Sequence, residues 1–125
     1  MNEKNRQTIL IVDDDESVLN ALQVALEGAD YNPLTAISGE AALDILSSED
    51  VDLIILDIYM PEIDGKQIFT AVKEIEPEVP IIIITGMAVE DGQAFADAHG
   101  AEGFIKKPFE PAVLIKKIQE LIETA

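Results

Sequence analysis

Short apolar runs alternate with amphipathic stretches five times along the chain. Runs such as Ile9–Val12, Leu53–Leu56 and Ile81–Ile84 are short and continuously apolar, which is typical of parallel strands covered on both faces. In the stretches between them, apolar residues recur at the spacing of an amphipathic helix. The alternation therefore predicts an α/β fold in which helices cover both faces of a five-stranded parallel sheet.

The elements can be placed approximately from their boundary residues. The predicted strands are Thr8–Asp13, a weaker Asn32–Ala36, Asp52–Asp57, Pro80–Thr85 and a fifth containing Phe104 and Ile105. The predicted helices are one ending near Gly28, one capped by Ser38, one from near Asp64 to before Pro77, Val89–Ala98 and Pro111–Glu123.

The fourth predicted helix has the weakest pattern of the set. Gly92 lies inside it, and its anchors are mainly Val89, Phe95 and small alanines. Because glycine disfavours a helix and alanine buries little surface, we expect this helix to be comparatively weakly packed.

Chain length and composition indicate one domain with an aliphatic core. A chain of 125 residues is of ordinary single-domain size, and it is 48% hydrophobic but only 5% aromatic. The last predicted helix runs to the end of the chain. We therefore expect residues 1–125 to form a single domain without an output domain, in which residues 1–7 are a flexible N-terminal segment.

The chain is strongly acidic, with a formal net charge of −17 from 25 acidic residues against 8 Lys plus Arg. Such a surface repels nucleic acids and anionic lipids, so we expect no direct nucleic-acid binding. The charge either selects cationic protein partners or metal ions, or serves solubility alone. There is no cysteine, which excludes disulfides and thiolate chemistry. No signal peptide is recognisable, and no apolar run approaches the ~18 residues of a membrane span. We expect a cytoplasmic protein that does not enter the membrane.

Polar residues stand where the predicted strands end. Asp13–Asp15 follow the first strand, Asp57 ends the third, Thr85 ends the fourth, and Lys107 follows the fifth. The carboxyl ends of parallel strands meet along one edge of a sheet, which is where ligands bind in such folds. The spacing therefore predicts a pocket that contains several carboxylates, a hydroxyl and a cation.

Four segments carry a resemblance to a known family. ILIVDDD (residues 9–15), LIILDIYMPEIDG (53–65), IIIITG (81–86) and FIKKPF (104–109) occur in the order and at the spacing of response regulator receiver domains. The resemblance covers nearly the whole chain. It implies a flavodoxin-like, doubly wound sheet of order 2-1-3-4-5 with five helices. It also implies a phosphoprotein of a two-component phosphorelay, in which Asp57 accepts a phosphoryl group from a histidine kinase.

The acidic residues predict a Mg²⁺ site. Asp13, Asp14 and Asp57 would lie close together on neighbouring strands, and oxygen ligands with open positions suit Mg²⁺. The resemblance adds the backbone carbonyl of Tyr59 as a further metal ligand. It also implies that Met60-Pro61 and Asp64-Gly65 shape the turn beside the site.

Thr85 and Lys107 complete the predicted phosphoryl-binding set. Neighbouring side chains on a strand point to opposite faces, so only one of Lys106 and Lys107 can reach the pocket. The Lys-Pro pair of the family selects Lys107 and implies a cis peptide bond to Pro108. In the family, the threonine moves toward the phosphoryl group while an aromatic on the fifth strand turns inward, and Phe104 holds that position.

The resemblance also implies what the chain binds. We expect it to be a signalling phosphoacceptor that supports its own Mg²⁺-dependent phosphorylation and dephosphorylation, rather than an enzyme with a separate substrate. Its donor would be a sensor histidine kinase or a phosphotransfer protein. Phosphorylation would change the surface around helix 4, strand 5 and helix 5, and so control a downstream protein, an output domain or dimer formation.

Three other interpretations are weighed against this one. In a haloacid-dehalogenase-like phosphatase, Asp13 and Asp15 would be the nucleophile and second acid, but the residues after Asp15 do not continue that motif. A flavodoxin-like cofactor binder needs a hydroxyl- and glycine-rich loop after the first strand, where this chain has acids. A degenerate receiver would lack part of the set that is intact here. His99, the single histidine, is expected to cap a helix or lie at the surface.

Overall fold

Five parallel strands form the central sheet. The computed structural model describes residues 6–60, 63–86 and 88–122. The bounds of these strands are β1 Thr8–Val12, β2 Asn32–Ala36, β3 Leu53–Asp57, β4 Ile81–Thr85 and β5 Gly103–Lys106. Along the sheet they lie in the order β2-β1-β3-β4-β5, all parallel to their neighbours, which confirms the predicted topology.

Four helices connect the strands and a fifth follows the last strand, and their bounds lie within about two residues of those predicted from the sequence. They are α1 Glu16–Gly28, α2 Gly39–Ser48, α3 Gly65–Ile75, α4 Val89–His99 and α5 Pro111–Ile122. The predicted end of α5 at Glu123 lies outside the described residues, as do residues 1–5 of the predicted flexible segment. Among the helices that the structure describes, none is long and apolar enough to cross a bilayer.

The sheet separates two hydrophobic cores because successive strand residues point to opposite faces. Leu10 of β1 and Ile54 of β3 belong to the core that packs under α2, α3 and α4. Ile9 and Ile55 belong to the core under α1 and α5. Side chains buried on both faces explain why the strands read as continuous apolar runs, and they hold the strand ends in fixed positions.

A short hairpin follows β3 and was not predicted. Tyr59–Met60 pairs antiparallel with Ile63–Asp64, where the sequence indicated only a turn. Strands of two residues are too short to show a periodicity. Of the residues predicted to shape this turn, Pro61 lies outside the described residues.

One expectation about α4 is wrong. Val89 was expected to anchor this helix, but 51% of it is exposed. The buried positions of α4 are Gly92 and Ala96, and Phe95 is half-buried. The predicted anchor fails because Val89 is the first residue of the helix and the strip that faces the sheet runs through residues 92 and 96 instead.

Candidate functional site

The carboxyl ends of β1, β3 and β4 bring three polar residues to one edge of the sheet. Asp13 directly follows β1, Asp57 is the last residue of β3, and Thr85 is the last residue of β4. All three are buried, with exposed fractions of 0%, 3% and 0%. Buried charges require compensating partners, so this edge of the sheet must supply them.

Lys107 is the charged partner of both buried aspartates. Its Nζ lies 2.7 Å from Oδ2 of Asp13 and 2.9 Å from Oδ2 of Asp57. The backbone N–H of Lys107 donates to the carbonyl oxygen of Thr85 at 2.8 Å, and the peptide bond to Pro108 is cis. These backbone features place the lysine stem at the edge of the pocket.

Lys106 points elsewhere, as strand alternation predicted. Its side chain is directed toward the carbonyl oxygen of Gly86, to which Nζ donates at 3.2 Å. Of the two neighbouring lysines, Lys107 is therefore the one that enters the acidic pocket.

Backbone N–H groups hold the second oxygen of each buried aspartate. Tyr59 N–H donates to Oδ1 of Asp57 at 2.9 Å, and Asp15 N–H donates to Oδ1 of Asp13 at 2.9 Å. Each carboxylate is therefore oriented by one backbone donor and by Lys107. The Tyr59 side chain itself is 72% exposed, so this residue meets the site through its backbone.

Burial and ion pairing shift the pKa values of the ionisable groups in the pocket in opposite directions. Burial raises the pKa of Asp57 above its usual value, and the N–H of Tyr59 and the ammonium of Lys107 offset this only in part. For Lys107, burial by itself would lower the pKa, but the hydrogen bonds and charges of Asp13 and Asp57 outweigh it and raise the pKa. The lysine is therefore held as a fixed positive charge beside Asp57.

A third carboxylate completes an acidic cluster. Asp14 is exposed, and one carboxylate oxygen from each of Asp13, Asp14 and Asp57 can be chosen so that all lie within 4.8 Å of one another. Oδ2 of Asp13 is buried, and the ammonium of Lys107 at 2.7 Å is its charged partner. Lys107 is the cation paired with this cluster, so the ionised carboxylates leave an excess of negative charge. Oxygen ligands that carry an excess of negative charge fit a small divalent cation such as Mg²⁺.

Asp15 has a separate role at the start of α1. It is the N-cap of the helix, and its Oδ1 accepts hydrogen bonds from the backbone N–H and the hydroxyl of Ser17 at 2.9 Å and 2.6 Å. The Ser17 hydroxyl is the main cause of the lowered pKa of Asp15. An acid committed to a helix cap is poorly suited to be the second acid of a dehalogenase-like phosphatase, so this arrangement disfavours that alternative.

An aromatic cluster on α3 and α4, formed by Phe69, Phe95 and His99, was missed by the sequence analysis. The His99 ring stacks on Phe95 with 4.1 Å between ring centroids, and Phe69 lies edge-on to both. His99 is thus a half-buried packing residue. Its Nδ1 lies 2.9 Å from the carbonyl oxygen of Phe95 in the last turn of α4, which agrees with the predicted capping role rather than a surface role. The spacing of four residues between Phe95 and His99 was the available signal, since side chains i and i+4 are neighbours on a helix.

Comparison with known proteins gives a consistent result. Residues 9–119 match the family model described as response regulator receiver domain. The response regulator SaeR of Staphylococcus epidermidis is 37% identical over 114 residues, which cover 91% of this chain and 49% of that protein. The chain thus spans about half the length of the curated relatives it matches.

Solved structures agree with the fold. The CheY-like response regulator receiver domain protein from Methanospirillum hungatei JF-1 superposes with a TM-score of 0.88 at 29% identity, covering 96% of both chains. The chemotaxis response regulator CheY4 of Vibrio cholerae superposes with a TM-score of 0.86 at 30% identity, covering 94% of this chain and 100% of that one.

Proposed function

This chain belongs to the response regulator receiver domain family of two-component systems, and we propose that Asp57 is the residue that accepts the phosphoryl group. The observation that supports this assignment is the position of Asp57. It is buried at the end of a central strand and held by the N–H of Tyr59 and the ammonium of Lys107. A nucleophile held in place by two donors needs little reorganisation before the reaction.

The proposed donor is the phosphohistidine of a sensor histidine kinase or a phosphotransfer protein. A carboxylate oxygen of Asp57 forms a new P–O bond while the N–P bond of the phosphohistidine breaks, and the imidazole nitrogen keeps the electron pair. Lys107 offsets negative charge on the carboxylate and on the incoming phosphoryl oxygens. Phosphorylation and later hydrolysis of the acyl phosphate are then supported by the domain itself, without a separate substrate.

We propose that Asp13, Asp14 and Asp57 hold Mg²⁺, together with the backbone carbonyl of Tyr59. When bound, the ion supplies positive charge to the oxygens of the transferring phosphoryl group. The residues of this chain arrange the pocket before the ion arrives. Lys107 pairs with the two buried acids while Asp14 stays exposed at the mouth of the cluster.

Thr85 and Lys107 are proposed to bind the phosphoryl group once it is on Asp57. Thr85 is buried at the end of β4, and its backbone carbonyl accepts the N–H of Lys107, so movement at one residue reaches the other. The added charge of about −1.5 to −2 would bias the surface around α4, β5 and α5. Its readers would be a downstream protein, an output domain or a second copy of the chain, in the cytoplasm and without direct contact to nucleic acid.

The acceptor assignment is tested by acetyl phosphate with Mg²⁺ and intact-mass measurement. The wild-type protein should gain one phosphoryl group that hydroxylamine removes, because acyl phosphates are labile to it. Asp57→Asn should lose this gain, whereas Asp50→Asn, which changes an exposed acid on the α2–β3 connection, should keep it. An unchanged yield in Asp57→Asn would show that Asp57 is not the acceptor.

The role of Thr85 is tested separately. Thr85→Ala should still accept the phosphoryl group, because Asp57, Lys107 and the acidic cluster remain. It should lose most of the change in amide hydrogen exchange that beryllofluoride induces between residues 88 and 104. Couplings of this kind amount to roughly 1–3 kcal/mol. A wild-type response in Thr85→Ala would remove Thr85 from the proposed route.

A further inference from the structure

Helix α4 is anchored unequally along its length. In its first half, residues 89–94, Gly92 is the buried position and the other residues are exposed. In its second half, Ala96 is 2% exposed, and Phe95 and His99 are half-buried. The two halves are therefore held by different contacts, and only the second half contributes side chains of any size to the core.

The aromatic cluster of Phe69, Phe95 and His99 fastens the second half to α3. Phe69 of α3 lies 6.1 Å from Phe95 and 5.7 Å from His99 between ring centroids, with both pairs edge-on. Nδ1 of His99 lies 2.9 Å from the carbonyl oxygen of Phe95, which can only accept, so Nδ1 donates. Gly100 ends the helix in the left-handed conformation, with φ of 76°. The C-terminal end of α4 is thus a defined, well-packed point.

The first half is held against the sheet in another way. A Cβ atom on residue 92 would lie 2.3 Å from Cε1 and 2.4 Å from Cζ of the Phe104 ring. The ring of this β5 residue therefore occupies the space that any side chain at position 92 would need. The backbone N–H of Gly92 also donates to the carbonyl oxygen of Ala88 at 3.0 Å, so the helix is intact at the contact. Glycine weakens a helix relative to alanine, and here it makes room for the aromatic ring.

We propose that the Phe104 ring, seated on Gly92, holds the first half of α4 in its resting position, and that the aromatic cluster is the pivot of the helix. Displacing the ring then releases residues 89–94 while residues 95–99 stay on α3. In this proposal phosphorylation displaces the ring, and that step rests on the proposed function. The resting contact and the pivot do not depend on it.

The resting contact is tested by residue-resolved amide hydrogen exchange in the unphosphorylated protein. Gly92→Ala places a Cβ into the ring, so exchange at residues 92–94 should become about fivefold faster or more, as expected for an overpacked contact. Exchange at residues 97–99 should stay within about twofold of wild type. Gly28→Ala is the matched control, because a Cβ there meets nothing within 4 Å, and it should leave α4 unchanged.

The same substitution in a variant that lacks the Phe104 ring separates this contact from the effect that alanine has on any helix. In Phe104→Ala the ring is gone, so adding Gly92→Ala should no longer accelerate exchange at residues 92–94. An equal effect of Gly92→Ala in both backgrounds would overturn the proposal, as would equal acceleration in both halves of α4. Wild-type protection from exchange in the central strands β1 and β3 shows that each variant is folded, whether or not it accepts a phosphoryl group.

The pivot is tested in two further measurements. His99→Ala should accelerate exchange at residues 97–99, and His99→Phe, which keeps a stacking ring, should restore most of the protection. In the wild-type protein, beryllofluoride with Mg²⁺ should change exchange at residues 92–94 more than at 97–99. Equal change in both halves would overturn the pivot. Failure of beryllofluoride to bind at all would count against the proposed function and leave the resting-state result to decide the contact.

Discussion

At the scale of single residues, the pocket is organised around one lysine shared by two buried aspartates. Lys107 contacts Asp13 and Asp57 at 2.7 Å and 2.9 Å, whereas Asp14 is exposed. The two aspartates that follow β1 are therefore not equivalent. Asp13 is a charged partner of Lys107 and a proposed metal ligand, and Asp14 is a proposed metal ligand in contact with solvent.

Asparagine at either position should weaken Mg²⁺ binding, but the metal-free proteins should differ. Asp14→Asn relieves carboxylate repulsion at an exposed position and should leave the free energy of unfolding equal to or above that of wild type. Asp13→Asn removes one of the two negative charges that compensate Lys107. It should lower the free energy of unfolding by about 1–3 kcal/mol. The ion pair between Asp13 and Lys107 is what separates the two variants.

Urea unfolding in EDTA and Mg²⁺ titration provide the two measurements. Asp50→Asn serves as the control, since it removes an acidic charge outside the cluster and should change neither quantity much. If Asp13→Asn and Asp14→Asn were equally stable without metal, the ion pair would not distinguish them. Wild-type Mg²⁺ affinity in both variants would argue against a shared site.

At the scale of elements, strand ends could be located from the sequence, while the rotation of helices about their axes could not. The runs ending at Asp57 and Thr85 are continuous and apolar, so their ends are visible, and a parallel sheet brings those ends together. The face that α4 turns toward the sheet depends on its contacts, and the periodicity of a helix with small residues is weak. Val89 was therefore taken as an anchor, and the fit of Phe104 onto Gly92 could not be seen.

The geometry of the turn after β3 could not be predicted from the sequence either. Its hairpin pairs only Tyr59–Met60 with Ile63–Asp64, and its geometry depends on how closely Gly65 approaches the backbone. A Cβ on Gly65 would lie 2.5 Å from the carbonyl oxygen of Ile58. Since Ile58 directly precedes Tyr59, whose N–H orients Asp57, this glycine supports the site through the backbone.

Gly65→Ala should lower the free energy of unfolding by roughly 1–3 kcal/mol, because its Cβ would overlap backbone atoms that cannot rotate away. It should also slow phosphorylation by acetyl phosphate, since the Ile58–Tyr59 peptide must shift. Gly28→Ala, also at a helix end but in open space, should be unchanged or up to about 1 kcal/mol more stable. Urea unfolding and the rate of mass gain check the two effects, and equal stability of the two variants would contradict the close approach.

At the scale of the whole molecule, a rigid sheet with a core on each face carries one unevenly anchored helix. Strands β1, β3 and β4 are buried on both faces, so the proposed site is fixed while α4 has a first half with little side-chain anchoring. This difference supports our proposal that the response to phosphorylation lies in α4 rather than in the sheet. Around both lies a surface that is strongly negative, with a net charge of −17.

The net negative charge predicts how the stability of the protein depends on salt. Self-repulsion opposes the compact state, and raising NaCl from about 0.01 M to about 0.1 M shortens the Debye length from roughly 30 Å to roughly 10 Å. The free energy of unfolding should therefore rise with NaCl in the presence of EDTA. MgCl₂ at equal ionic strength should stabilise wild type further by filling the acidic cluster, whereas Asp14→Asn should show the NaCl effect and a weaker magnesium effect. Urea unfolding across both salts measures this. A fall in stability with NaCl would mean that surface ion pairs outweigh repulsion, and equal effects of the two salts would argue against a specific metal site.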